Sequence, residues 1–280
     1  MIHLKLFEEV KKKKPKVLLF QGSPRDKDSC CGMDSKTSTI IEYITDKYSD
    51  EFNFEVIDLS VNTKKKSIIQ PCKGCVSTAG GYHCHWTCDC YSKDNKEAPD
   101  FMHDEDIYDK LEKCDAFLVF SPIHWYSVST QVKAMFDRLV CANQTLDYND
   151  AIDVLGKSNL KNPEITSIFA KSGEHNDLLK NHLEGKIAGF YIHGDNGAND
   201  YEDSPLPKTF KGDDDFTAKQ AVMPLVYQCR YSGIKVPDSL VVAFSMNEGV
   251  DYFTANINME KIELPYKNAD RLIQNLKKQL

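Results

Sequence analysis

Positive charge is scarce in this sequence. Its 280 residues hold 35 Lys and Arg against 42 Asp and Glu, a net charge of −7. Nucleic acid and anionic membranes both call for a dense basic face, so neither is an expected partner. The one basic run, KKKKPK at 11–16, reads as a solvated arm ahead of the first strand. Long apolar runs are also missing. No stretch approaches the ~20 residues that span a bilayer. Residues 1–15 show neither an apolar signal core nor a small-residue cleavage site, so a cytoplasmic location is expected. In a reducing compartment the ten cysteines are thiols, metal ligands or redox groups rather than structural disulfides. Two nucleotide motifs are absent as well. Without a Walker lysine motif, ATP or GTP hydrolysis is not expected, and without GxGxxG a dinucleotide Rossmann reading is weak.

What is present is a core. Hydrophobic residues make up 41% of the chain, too many for global disorder. KVLLFQ (16–21), FNFEVIDL (52–59), AFLVFSP (116–122), KIAGFYIHG (186–194) and LVVAF (240–244) read as apolar strands, the first and third of them buried. Between them lie helical patterns at 37–48, 106–114, 127–140 and 217–233, with a closing helix at 268–280. Pro224 should kink the fourth of these or open a fresh turn. Strands alternating with helices predict an α/β fold with a doubly wound, mostly parallel sheet. A single domain over 1–280 is expected. It would carry an N-terminal arm (1–15), a Cys-rich insertion (62–103), a polar insertion (143–183) and a C-terminal segment with its helix (245–280).

Ligands of such sheets sit at the carboxyl ends of the strands, so three loops matter. The first, GSPRDKDSCCGMDSKTST, offers hydroxyls from Ser23, Ser35, Thr37 and Ser38, charge from Arg25, and a helix N-terminus. The second, SPIHWYSVS, offers a flat apolar wall with polar edges. The third, HGDNGANDYED, has glycines that permit close backbone approach. Singly, each loop is equally a polar cap, a pair of core aromatics or a surface connection. Their convergence on one sheet edge points to a ligand.

These segments carry a resemblance. GSPR with KTST, SPIHWYSVSTQVKAMFDRLV, and HGD are similar to the NADPH-dependent FMN reductase family, within the flavodoxin-like group. The resemblance covers about residues 16–245, the polar insertion excepted. It implies a three-layer, five-stranded sheet of order 2-1-3-4-5 with bound FMN. It also implies hydride transfer from NAD(P)H through FMN to a small acceptor such as a flavin, quinone, nitro or azo compound. A homodimer or higher homo-oligomer goes with it. By that resemblance Ser23, Arg25 and Thr37 hold the phosphate. Pro122, Ile123, His124, Trp125 and Tyr126 line the ring, and His193, Gly194 and Asp195 lie near its open edge. The flavin supplies the hard chemistry, so no catalytic side chain is assigned. One departure is the insert DKDSCCGMDS, whose three aspartates must point away from any phosphate. Two other readings stand beside this one. One is an FMN electron carrier of flavodoxin or iron–sulfur flavoprotein type; the other is a metal-stabilised binding protein without flavin.

CKGCVSTAGGYHCHWTCDC (72–90) holds five of the ten cysteines. Cys72 and Cys75 form a CxxC, but VSTAGG is a poor helix start, which argues against a thioredoxin-like pair. With Cys84 and Cys88 they can enclose one ion, zinc or an iron–sulfur cluster; Cys90, His83 and His85 are further candidates. A metal site, a redox pair, and thiols that merely pack or line the flavin pocket remain open. Cys114, Cys141 and Cys229 read as small core residues, and the adjacent Cys30 and Cys31 cannot readily bridge each other.

Overall fold

The computed structural model describes residues 13–30, 32–60, 67–75, 82–91, 98–194, 218–246 and 259–280. Five strands form its main parallel sheet: β1 (Lys16–Gln21), β2 (Asn53–Asp58), β4 (Ala116–His124), β7 (Ile187–Gly194) and β8 (Val241–Ser245). Their order is β2-β1-β4-β7-β8, the flavodoxin-like arrangement expected from the sequence. A short strand, β5 (Ser127–Val128), folds back antiparallel on the end of β4. Two others, β3 (His85–Trp86) and β6 (Leu146–Asp147), pair in parallel away from the main sheet.

Alternation along the strands divides the core in two. Leu18, Phe20, Phe117, Val119, Phe190 and Ile192 face one side. Helices α3 (Ile107–Lys113), α4 (Thr130–Arg138) and α7 (Ala218–Tyr231) cover it; the four-residue α2 (Phe101–Asp104) leads into α3. Val17, Leu19, Leu118, Phe120 and Tyr191 face the other side. There α1 (Lys36–Tyr48) and α8 (Glu263–Lys277) pack through Ile40, Ile44, Leu272 and Ile273. The period of two in each buried strand thus feeds both helical layers. Cys114, Cys141 and Cys229 are all buried.

Two helix starts differ from the sequence reading by three residues or more. The closing helix opens at Glu263, ahead of the expected 268, because Pro265 falls in its first turn, where a missing N–H costs nothing. The pattern beginning at 127 is not helical at its start; residues 127–128 belong to β5 and the helix opens at Thr130. Pro224 lies inside α7, which continues through it. No helix among the described residues is long and apolar enough to cross a membrane.

The polar stretch 143–183 contributes α5 (Tyr148–Leu155) and α6 (Pro163–Ser172). With Leu160 and Tyr82 they build a third, smaller core. This excursion packs against the Cys-rich stretch, through the β3–β6 pairing and a 2.8 Å hydrogen bond between His83 Nε2 and Thr166 Oγ1.

Candidate functional site

The first wall of the site follows β1. Gly22 leaves the strand where a Cβ would collide with Val132 Cγ2 and stand 2.9 Å from the Phe120 carbonyl, so only glycine brings the chain this close. The loop runs to Ser35, the N-cap of α1, whose hydroxyl accepts the Ser38 N–H at 3.0 Å. Gln21 reaches the Ser38 hydroxyl at 3.1 Å and ties the strand end to the helix start.

The second wall is the β4–β5 hairpin. Ser121 Oγ accepts the Ser129 N–H at 3.0 Å and donates to the Pro122 carbonyl at 2.8 Å, which fixes both ends of the loop. Ile123 pairs with Val128 and His124 with Ser127. Trp125 and Tyr126 are the two connecting residues, with φ of 47° and 64°. Positive φ at both central positions marks the turn twist that a tight hairpin favours. The turn leaves Trp125 94% and Tyr126 59% exposed.

The third wall is the end of β7. His193 is buried, and its Nε2 lies 2.9 Å from Thr37 Oγ1, so the third loop is joined to the first turn of α1. The Gly194 carbonyl accepts the Met246 N–H at 2.8 Å. Asp195 lies outside the described residues.

These walls enclose a cavity of about 530 Å³. Ser23, Arg25, Pro122, Ile123, His124, His193 and Gly194 line it. Thr37 is fully buried behind the lining with its hydroxyl engaged by His193, and Trp125 and Tyr126 stand outside it on the turn. Pro24, Ser29, Cys30 and Lys36 also line the cavity. Lys36 is the informative addition, a cation only 5% exposed in the first turn of the helix. It lies in the KTST segment, directly before the Thr37 hydroxyl. Asp26, Asp28 and Asp34 do not line the cavity: Asp26 bonds Ser29, and Asp34 pairs with Lys27 at 3.3 Å. The carboxylates thus stay clear of the Arg25–Lys36 side. Partial burial, then the Arg25 charge, hold His124 below the usual histidine range.

The Cys-rich stretch is a second locus. Arg138 of α4 is fully buried and grips Asp100 with two bonds of 2.8 and 2.9 Å. It also donates to the Gln70 carbonyl at 3.2 Å and to the Tyr108 hydroxyl at 3.1 Å. The chain that enters Cys72 is therefore anchored on a helix of the main core. Cys72 Sγ accepts the Gly74 N–H at 3.4 Å, whereas Cys75 Sγ and Cys90 Sγ stand 3.0 Å apart. A hydrogen bond from Cys90, with the nearby Arg138 charge, outweighs burial and brings Cys88 down to about 5; the same bond pushes Cys90 up. Burial and a bond with Cys84 push Cys141 up. Cys75 and Cys88 thus share Cys90 as a partner, Cys84 meets Cys141, and Cys72 turns to the Gly74 amide. Among the described residues no three His, Cys, Asp or Glu side chains stand together to hold a metal ion.

Several solved structures align with the chain at low identity. General stress protein 14 of Treponema denticola, in complex with FMN, is 12% identical, with a TM-score of 0.45; the alignment covers 95% of this chain and 99% of that one. A putative quinone reductase of Klebsiella pneumoniae is 15% identical with a TM-score of 0.48, over 92% of this chain and 84% of that one. An FMN-dependent NADH-azoreductase of Bacillus anthracis is 12% identical with a TM-score of 0.45, over 92% and 99%. No curated protein matches the chain. The sequence profile of the family described as NADPH-dependent FMN reductase matches residues 15–154, which take in the first two walls of the cavity and half of the chain. On that match, the chain belongs to the NADPH-dependent FMN reductase family.

Proposed function

We propose that the protein seats FMN in the 530 Å³ cavity and reduces a small, flat acceptor, such as a flavin, quinone, nitro or azo compound, with NAD(P)H. The volume falls within the roughly 300–1,000 Å³ of small-molecule sites. One observation carries the reading: the cation-bearing wall and the apolar wall meet on one cavity at the carboxyl edge of the sheet. Arg25 and Lys36 supply two positive charges beside the Ser23 hydroxyl and the start of α1, a set that fits a phosphate. Pro122, Ile123 and His124 form the flat apolar wall for the ring, and His193 with Gly194 close the side opposite. Held by these residues, FMN would supply the redox chemistry between NAD(P)H and the acceptor. The chain's own residues bind, orient and shield. Gly22 sets how near the backbone comes, Ser121 fixes the hairpin, and the Thr37–His193 bond holds two walls at one spacing. His124, held below the usual histidine range, is neutral at neutral pH, so it adds no charge opposite Arg25.

Purified protein reconstituted with FMN should be yellow and should oxidise NAD(P)H in the presence of an acceptor such as a benzoquinone. Rapid mixing with NADPH should bleach the flavin band. Retained flavin with no bleaching by either nicotinamide would instead identify an electron carrier. Failure to retain FMN at all would leave the cavity without its proposed occupant. A homodimer belongs to the same proposal; the exposed Trp125 and Tyr126 support it, and sedimentation equilibrium at a mass near 32 kDa would refute it.

A further inference from the structure

A second cavity, of about 330 Å³, lies beside the Cys-rich stretch and shares no lining residue with the flavin cavity. Cys75, Cys84, Cys88 and Cys90 line it, and Lys73 and Lys161 flank them. Within it the Cys75 and Cys90 sulfurs stand 3.0 Å apart, nearer than the ~3.5–4.0 Å at which unbonded carbon atoms settle. From that separation the sulfurs need to close by only about 1 Å to reach the ~2.05 Å of a disulfide bond. Both residues are partly exposed, so a small reagent can reach them. Cys72 turns to the Gly74 amide, and Cys88, which Cys90 also reaches, is buried, whereas Cys75 is partly exposed. The contact instead joins positions fifteen apart and would tie residues 67–75 to residues 82–91.

We propose that Cys75 and Cys90 are a reversible dithiol–disulfide couple, oxidised by an anionic low-molecular-weight disulfide drawn to Lys73 and Lys161. The first cysteine, as thiolate, attacks one sulfur of the small disulfide. The small S–S bond breaks and one small thiol leaves, carrying the proton that the cysteine gave up. The second cysteine then attacks the protein sulfur of the mixed disulfide, and the second small thiol leaves with the other proton. Two protein S–H bonds are lost and one S–S bond forms. The two electrons and two protons leave in the two small thiols. A reducing dithiol reverses the sequence. Nothing in this exchange involves flavin, so it stands or falls apart from the proposed reductase activity.

The test uses the full chain, reduced, freed of reductant under nitrogen and exposed to oxidised glutathione. Titratable thiols should fall from ten to about eight. Peptide mapping should recover Cys75 linked to Cys90, and dithiothreitol should restore the lost thiols. Cys75→Ser and Cys90→Ser should each abolish the link, and Cys72→Ser should keep it. Mapping of the wild type decides the matter even where a serine variant does not fold. A link between Cys72 and Cys75, ten unreacted thiols, or a stable glutathione adduct without a cross-link would each overturn the proposal. So would a stoichiometric metal ion in the anaerobic wild-type protein that is lost in Cys90→Ser, because the thiols would then be committed to ligation.

Discussion

Arg25 and Lys36 bring charge to the cavity in different ways. Arg25 comes from the loop, whereas Lys36 is fixed in the first turn of α1 and almost fully buried. A charge-assisted hydrogen bond to an anion contributes ~1.5–3 kcal/mol, or about ten- to a hundredfold in affinity. Arg25→Ala and Lys36→Ala should each weaken FMN binding by roughly that factor, read by quenching of FMN fluorescence on titration. Unchanged affinity in both would remove the phosphate from this wall. Arg25 was legible in the sequence because it follows a strand and a tight turn. Lys36 was not, since a lysine at the start of a helix ordinarily points to solvent and only the packed structure shows it turned inward. Thr37 shows the converse. Its position in the KTST run suggested a phosphate contact, yet its hydroxyl is engaged 156 residues away, at His193, a pairing no local pattern encodes.

At the scale of elements, the main strands announce themselves, because β1, β4 and β7 are buried runs bounded by loop signals. β1 matches its sequence reading at both ends, and β7 and β8 match to within a residue. The short β3, β5 and β6 were not legible: two residues carry no periodicity. Nor was the role of Arg138, which sits in a helical pattern whose apolar face reads well from Val132 to Leu139. Its guanidinium is buried against Asp100, and removing one partner of such a pair strands a charge in the core. Asp100→Ala should therefore cost about 3–5 kcal/mol in urea unfolding, whereas Asp100→Leu combined with Arg138→Met should cost much less. Equal losses in the single and double variants would show that the pair supplies little beyond packing. The anchor also explains how a cysteine stretch of poor helical pattern holds a fixed place. Gln70, at the entry to Cys72, accepts from Arg138 on its carbonyl and donates its own N–H to Asp100 at 3.2 Å.

For the molecule as a whole, buried histidines set a pH limit. Burial holds His85 and His182 below the usual range; His182 also stacks on Trp86 with ring centroids 5.3 Å apart. In the unfolded chain both take up protons as pH falls through about 6.5, while in the folded chain they resist. Their contribution to stability is therefore complete above about 6.5 and is lost as pH falls from there toward their folded values. The urea midpoint should drop between about pH 7.5 and pH 5.5, where most carboxylates are still ionised, and His182→Gln should flatten part of that slope. A midpoint that holds or rises at the lower pH would contradict this. One large-scale relation was hidden in the sequence. The polar excursion and the Cys-rich stretch each read as an insertion of its own, but only the fold shows that they cover one another.

The hydrogen bond between Thr37 and His193 also bears on how the protein is made. A chain emerging from the ribosome completes β1, α1 and β4 long before residue 193 leaves the exit. Until β7 docks beside β4, the third wall is missing and the Thr37 hydroxyl has no partner. A nascent chain ending at residue 154 holds the family's signature without a finished pocket. On the proposed function, cofactor capture would wait until β7 has docked beside β4, and retention of the flavin would report that the third wall is in place.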